Sequence, residues 1–123
     1  MITSPKILIV DDDPTNLRFL DEVLSEGYHL QSVSSGEEAL EAIHTYQPDI
    51  LLLDIILPGI DGYQVCQTVR QDEKFAGMKI ILISAKAMAD EMQKGYDVGC
   101  DAYITKPFSH QDLLSNIDAT LID

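Results

Sequence analysis

Three unbroken apolar stretches constrain this chain more than any other feature: ILIV at 7–10, ILLL at 50–53 and IILI at 80–83. A strand with one wet face alternates apolar and polar residues. A continuous run therefore predicts a strand covered on both faces, the condition of a parallel sheet between layers of helices. Lys6–Val10, Asp49–Leu53 and Lys79–Ile83 hold these runs, and His29–Val33 and Ala102–Ile104 carry weaker strand signals.

Helical patterns fill the intervals. Leu17, Leu20, Val23 and Leu24 form one apolar stripe, stopped by Gly27; Ala39, Leu40 and Ile43 form a second, opened by Ser35 with Glu38 in capping-box spacing and ended before Pro48. A third, opened by Asp61, sets Gly62, Val65, Cys66 and Val69 on one face. The fourth runs from Met88 to Val98 and ends at Gly99, and the fifth, opened by Ser109, carries Leu113, Ile117 and Leu121. Strand and helix thus alternate five times. Right-handed crossovers then predict an α/β fold, a doubly wound five-stranded parallel sheet of flavodoxin-like order 2-1-3-4-5.

At 123 residues the chain is sized for one domain, 1–123. No stretch approaches the roughly 20 apolar residues of a membrane span, and the start, MITSPKILIV, is too short and weakly charged for a signal peptide, so a cytoplasmic protein is expected. Cys66 and Cys100 lack metal-ligand spacing and read as buried free thiols. The net charge of −13 repels polyanions, which argues against nucleic-acid binding by this domain.

In such sheets ligands bind beyond the carboxyl ends of the strands, where strand order reverses, here between the first and third. The first predicted strand runs into Asp11, Asp12 and Asp13, the third into Asp54, the fourth into Ser84 and the fifth into Thr105 and Lys106. Carboxylates crowded at a low-dielectric edge repel one another and take up protons unless a cation compensates. Two or three Asp without Cys or His suit Mg²⁺ and disfavour zinc. With Mg²⁺ bound, an Asp carboxylate can attack phosphorus while Lys106 and the Ser84 hydroxyl contact the phosphoryl oxygens. Asp13, before Pro14, reads as a helix N-cap, and Asp61 likewise as a cap rather than a ligand.

ILIVDDDPTN, LLLDIILPGIDG, ILISA and AYITKPF occur in order at four strand ends. With them the chain resembles, over essentially its whole length, the receiver domain of two-component response regulators. The resemblance implies a phosphoacceptor domain, not an enzyme with a separate substrate, in which Asp54 takes the phosphoryl group. Asp11 and Asp12 are then the acidic pair, Asp12 the more direct metal ligand, and the backbone carbonyl of Ile56 completes the protein's metal contacts beside Asp54. Ser84 resembles the hydroxyl that reports the phosphoryl group, Lys106 the lysine paired with it, and Tyr103 the aromatic switch that turns in from the surface. A cis Lys106–Pro107 bond is implied as well. The implied partners are a histidine kinase or histidine phosphotransfer protein as donor, and an output domain, an effector protein or a second copy in a phosphorylation-dependent homodimer. The helix 4, strand 5 and helix 5 face is the expected docking face. Ile56 and Lys86 occupy positions that vary in the family; Ile56 offers no polar group to orient water, so self-dephosphorylation is expected to be slow.

Three other readings compete. A haloacid-dehalogenase-type phosphatase wants a second Asp where Ile56 stands, and a flavodoxin wants a glycine- and hydroxyl-rich loop where this chain has DDDPTN. A non-phosphorylated interaction module on the same fold is the third, since fold alone does not dictate activity.

Overall fold

A computed structural model describes residues 4–122. The reading of the first ten residues as lacking a signal segment falls partly on residues 1–3, outside those described. The elements are β1 (Lys6–Val10), α1 (Pro14–Leu24), β2 (His29–Val33), α2 (Gly36–Tyr46), β3 (Ile50–Asp54), α3 (Gly62–Arg70), a 3-10 turn (Glu73–Phe75), β4 (Lys79–Ser84), α4 (Ala89–Asp97), β5 (Ala102–Thr105) and α5 (His110–Ile122). All strands are parallel in the order β2-β1-β3-β4-β5, as the alternation predicts.

The apolar runs do what continuous runs require. Leu8, Val10, Leu51, Leu53, Ile80 and Leu82 face α2 and α3 in one buried cluster, which Met92 and Val98 join from the α4 side. Ile7, Ile9, Ile50, Leu52, Ile81 and Ile83 alternate with them and face α1 and α5 in a second. β2, at an edge, has no fully buried residue, which is why its sequence lacks such a run. Cys66 and Cys100 are buried free thiols, and burial pushes their pKa values up to about 11 and about 12, so neither is a nucleophile near neutral pH.

Local chemistry sets the helix starts. The Asp13 carboxylate accepts from the Thr15 N–H with Pro14 at the first helical position; Ser35 Oγ accepts from the Glu38 N–H; Asp61 and Gln64 form a reciprocal capping box; and Ser109 Oγ accepts from the Asp112 N–H. Gly62 permits α3 to lie against β3, since a Cβ there would stand 2.6 Å from the Asp54 carbonyl oxygen.

The strand ends differ from the sequence reading in a way that matters. β3 begins at Ile50 rather than Asp49 and continues through Asp54, which lies opposite Ile83; β4 continues through Ser84, opposite Thr105. Ladder bonds join backbone groups, so a polar side chain does not end a strand. Ile55 N–H reaches the Ile83 carbonyl and Lys106 N–H the Ser84 carbonyl. Asp49 instead caps the opposite end, its carboxylate accepting from the Lys6 N–H at 2.8 Å. α4 starts at Ala89 instead of Met88 and stops at Asp97, before Val98. The 3-10 turn that tucks Phe75 into the core has no period for a sequence pattern to show.

Candidate phosphoacceptor site

At the carboxyl ends of β1 and β3 a recess of about 220 Å³ is lined by Asp11, Asp12, Asp13, Asn16, Asp54, Ile56, Ala85 and Lys106. Asp54 sits on the last rung of a fully buried strand and is only 5% exposed. Both carboxylate oxygens are held: Oδ1 accepts from the Ile56 N–H at 3.0 Å and Oδ2 from Lys106 Nζ at 2.7 Å. Lys106 directly follows β5, and the Lys106–Pro107 bond after it is cis.

Asp11 is 4% exposed, and its Oδ1 accepts from the Asp13 N–H at 2.9 Å. Burial raises its carboxyl above the usual range. The Asp13 bond pulls it down again, and the neighbouring Asp54 charge pushes it further up. Asp12 is exposed on the rim. Among the described residues no three His, Cys, Asp or Glu side chains form a metal cluster on their own. The donors facing the recess are all oxygens of hard character, and the buried Asp11 is strained by its neighbour's charge. That set fits a divalent ion that keeps waters and phosphate oxygens in its shell, as Mg²⁺ does, rather than one caged by protein.

The structure therefore brings together Asp11, Asp12, Asp54, Ile56 and Lys106. It does not place Ser84 or Tyr103 on the recess. Ser84 is fully buried, and its Oγ accepts from the Lys86 N–H at 3.0 Å. The Tyr103 ring, expected at the surface, is 7% exposed, and its hydroxyl donates to the Lys86 carbonyl at 2.8 Å. The inward position is the one seen because the ring fills apolar core while its polar tip finds an acceptor. Asp13 serves as cap and also lines the recess, and Asp61 serves as cap alone. Sequence reasoning missed Asn16, which lines the recess beside Asp11. Its place in the first turn after the DDDP run was the available signal, one that polar first-turn residues share widely.

Comparisons with known proteins bear on the family and the fold. A family model described as the response regulator receiver domain matches residues 7–118. The probable transcriptional regulator ycf27 of Guillardia theta is 40% identical over 97% of this chain and 46% of its own length. The DNA-binding response regulator MtrA of Mycolicibacterium smegmatis is 37% identical over 94% of this chain and 50% of its own. The chain thus spans about half the length of the curated relatives it matches. Among solved structures, a putative response regulator from Chloroflexus aurantiacus superposes with a TM-score of 0.93 at 37% identity, covering 98% of this chain and 100% of that one. A CheY-like receiver domain protein from Methanospirillum hungatei does so at 0.90 and 31%, covering 98% and 95%. With a match that takes in every strand and the residues gathered at their carboxyl ends, this chain belongs to the response regulator receiver family of two-component signalling.

Proposed function

We propose that this domain accepts a phosphoryl group on Asp54 from a phosphohistidine donor, a histidine kinase or histidine phosphotransfer protein, and relays its arrival to an output partner. One observation carries the reading: a buried carboxylate, oriented by the Ile56 N–H and contacted by the Lys106 ammonium, faces an open recess lined by three further carboxylates. The Asp54 carboxylate attacks phosphorus, the bond to the donor's leaving group breaks, and an acyl phosphate forms. Lys106, already in reach of that carboxylate, meets charge on the phosphoryl oxygens. Asp11, Asp12, Asp54 and the Ile56 carbonyl would hold Mg²⁺. Bound there, the ion supplies positive charge to the phosphoryl oxygens and relieves the repulsion among the carboxylates.

The Ser84 Oγ accepts from Lys86, so its own proton is what it can offer a phosphoryl oxygen. Donating it inward draws Ser84 and the loop through Lys86 toward Asp54, which alters the Tyr103 bond and with it the face of α4, β5 and α5. An effector, an output segment or a second copy docks on that face. An output at DNA, as in relatives named DNA-binding regulators, would come through another segment or partner, since this domain's charge of −13 opposes polyanion contact. The setting is the cytoplasm; no helix among the described residues is long and apolar enough to cross a membrane.

A small-molecule phosphodonor tests this. Intact mass should show a Mg²⁺-dependent phosphoryl adduct on the native chain and none on Asp54→Ala. A chain that never takes the adduct would be the non-phosphorylated interaction module instead.

A further inference from the structure

α4 stands apart from the other helices. It is as short as α3, at nine residues, but has a buried glycine in its interior and Met88 at its N-cap with no side-chain cap bond, whereas Asp13, Ser35 and Asp61 cap α1, α2 and α3. A helix so short, uncapped and interrupted by Gly95 is marginal by itself and takes its place from what it touches.

What it touches are two tyrosines. Tyr63, on α3 and 4% exposed, brings its hydroxyl to 3.0 Å from both the Glu91 carbonyl oxygen and Glu91 Oε2, in the first turn of α4. Lys94, a turn later, sets its Nζ 4.5 Å from the centre of the same ring. Tyr103 reaches α4 from below. A Cβ on Gly95 would stand 2.9 Å from Tyr103 Cδ2 and 3.1 Å from Leu82 Cδ1, so the glycine is the slot under which the inward ring lies. Both rings belong to the same buried cluster. Burial first, then the Tyr103 hydroxyl and Glu91, push the Tyr63 phenol well above its ordinary range. Contacts run from Ser84 through Lys86 to Tyr103, and Tyr103, under Gly95, and Tyr63, at Glu91, bear on the same helix.

We propose that Tyr63 is a positioning residue of the switch: its hydroxyl holds the first turn of α4 against α3, and through Tyr103 that hold answers to Ser84. The link to Ser84 rests on the phosphoacceptor reading given above; the hold on α4 does not. Because α4 has little stability of its own, losing one hydroxyl bond changes how often its first turn opens.

Amide hydrogen exchange of α4 tests this, with Tyr63→Phe, which keeps the ring and its packing. In the unmodified chain Tyr63→Phe should raise exchange across Ala89–Asp97 about fivefold, the effect of one net hydrogen bond. Tyr28→Phe, which removes an exposed bond to Asp118, should leave α4 unchanged. On phosphorylation by a small-molecule donor with Mg²⁺, the native α4 exchange should shift. Tyr63→Phe should take up phosphate at the native rate, yet show the same α4 exchange with and without it. Native exchange in unmodified Tyr63→Phe, or a full phosphorylation-dependent shift in that variant, overturns the proposal. If the native chain takes no phosphate, the phosphoacceptor reading fails and the hold on α4 is still decided by the unmodified proteins.

Discussion

Two ion pairs of equal length stand at opposite ends of the sheet, and they do different work. At the amino ends of β4 and β5, Arg70 engages all three nitrogens of its guanidinium. Nε donates to the Gly99 carbonyl, Nη1 to the Met78 carbonyl and Nη2 to Asp101 Oδ2 at 2.7 Å, while the same Asp101 oxygen accepts the Ile80 N–H. A planar fork with every arm engaged ties α3 to the start of β4 and to the turn before β5. At the carboxyl ends, Lys106 Nζ makes one bond, to Asp54 Oδ2 at 2.7 Å, and keeps further protons to offer beside an open recess. A cation whose every nitrogen holds a fixed acceptor is a staple; one with a single bond beside a cavity is equipment for binding a further group.

Substitutions can break this contrast. Lys106→Ala should slow phosphorylation by a small-molecule donor on the order of 10²-fold, since it removes preorganised charge from the reacting oxygens. A native rate would remove Lys106 from the chemistry. Arg70→Ala should cost about 2–4 kcal/mol in urea unfolding, because two carbonyls lose their side-chain donor and the Asp101 carboxylate its cation, while the phosphorylation rate of the folded protein stays native. Slow phosphorylation in a stable Arg70→Ala chain would erase the division between the two ends.

Asp11→Asn sharpens the point from the other side. Asp11 is buried with its pKa raised, so its charged form opposes folding near neutral pH. The neutral amide should raise stability by about 1 kcal/mol in metal-free buffer and impair Mg²⁺-dependent phosphorylation. Lower stability in that buffer would mean that the carboxylate is structural. The smallest effect is kinetic. Ile56 is 57% exposed at the recess rim, and Ile56→Asn should hasten loss of phosphate several-fold by orienting water, with the decay of the adduct followed by mass. Unchanged decay would leave the apolar side chain without a part in phosphoryl lifetime.

The two ends were also unequally legible in the sequence. ILIV, ILLL and IILI state the buried parallel sheet directly, and the topological rule then names Asp11, Asp54 and Lys106 without any knowledge of their contacts. The staple left no comparable mark. Arg70 lies at the end of an amphipathic helix where a cation commonly completes the last turn, and its three acceptors are reached only through folding, two of them being backbone carbonyls. Strand limits at Asp54 and Ser84 were read one residue short, since composition reports side chains and the ladder joins backbones. The inward Tyr103 depended on Gly95 making room from another element, a fact that neither residue's neighbours in sequence display.

Asp54 itself should carry the phosphoryl group. Borohydride reduction of the phosphorylated chain converts an aspartyl phosphate to homoserine, and peptide mapping then locates it. Conversion is expected at residue 54, and only in samples phosphorylated with Mg²⁺ present; conversion at Asp11 or Asp12 instead, or none in a chain that bears the adduct, would rule Asp54 out as the acceptor.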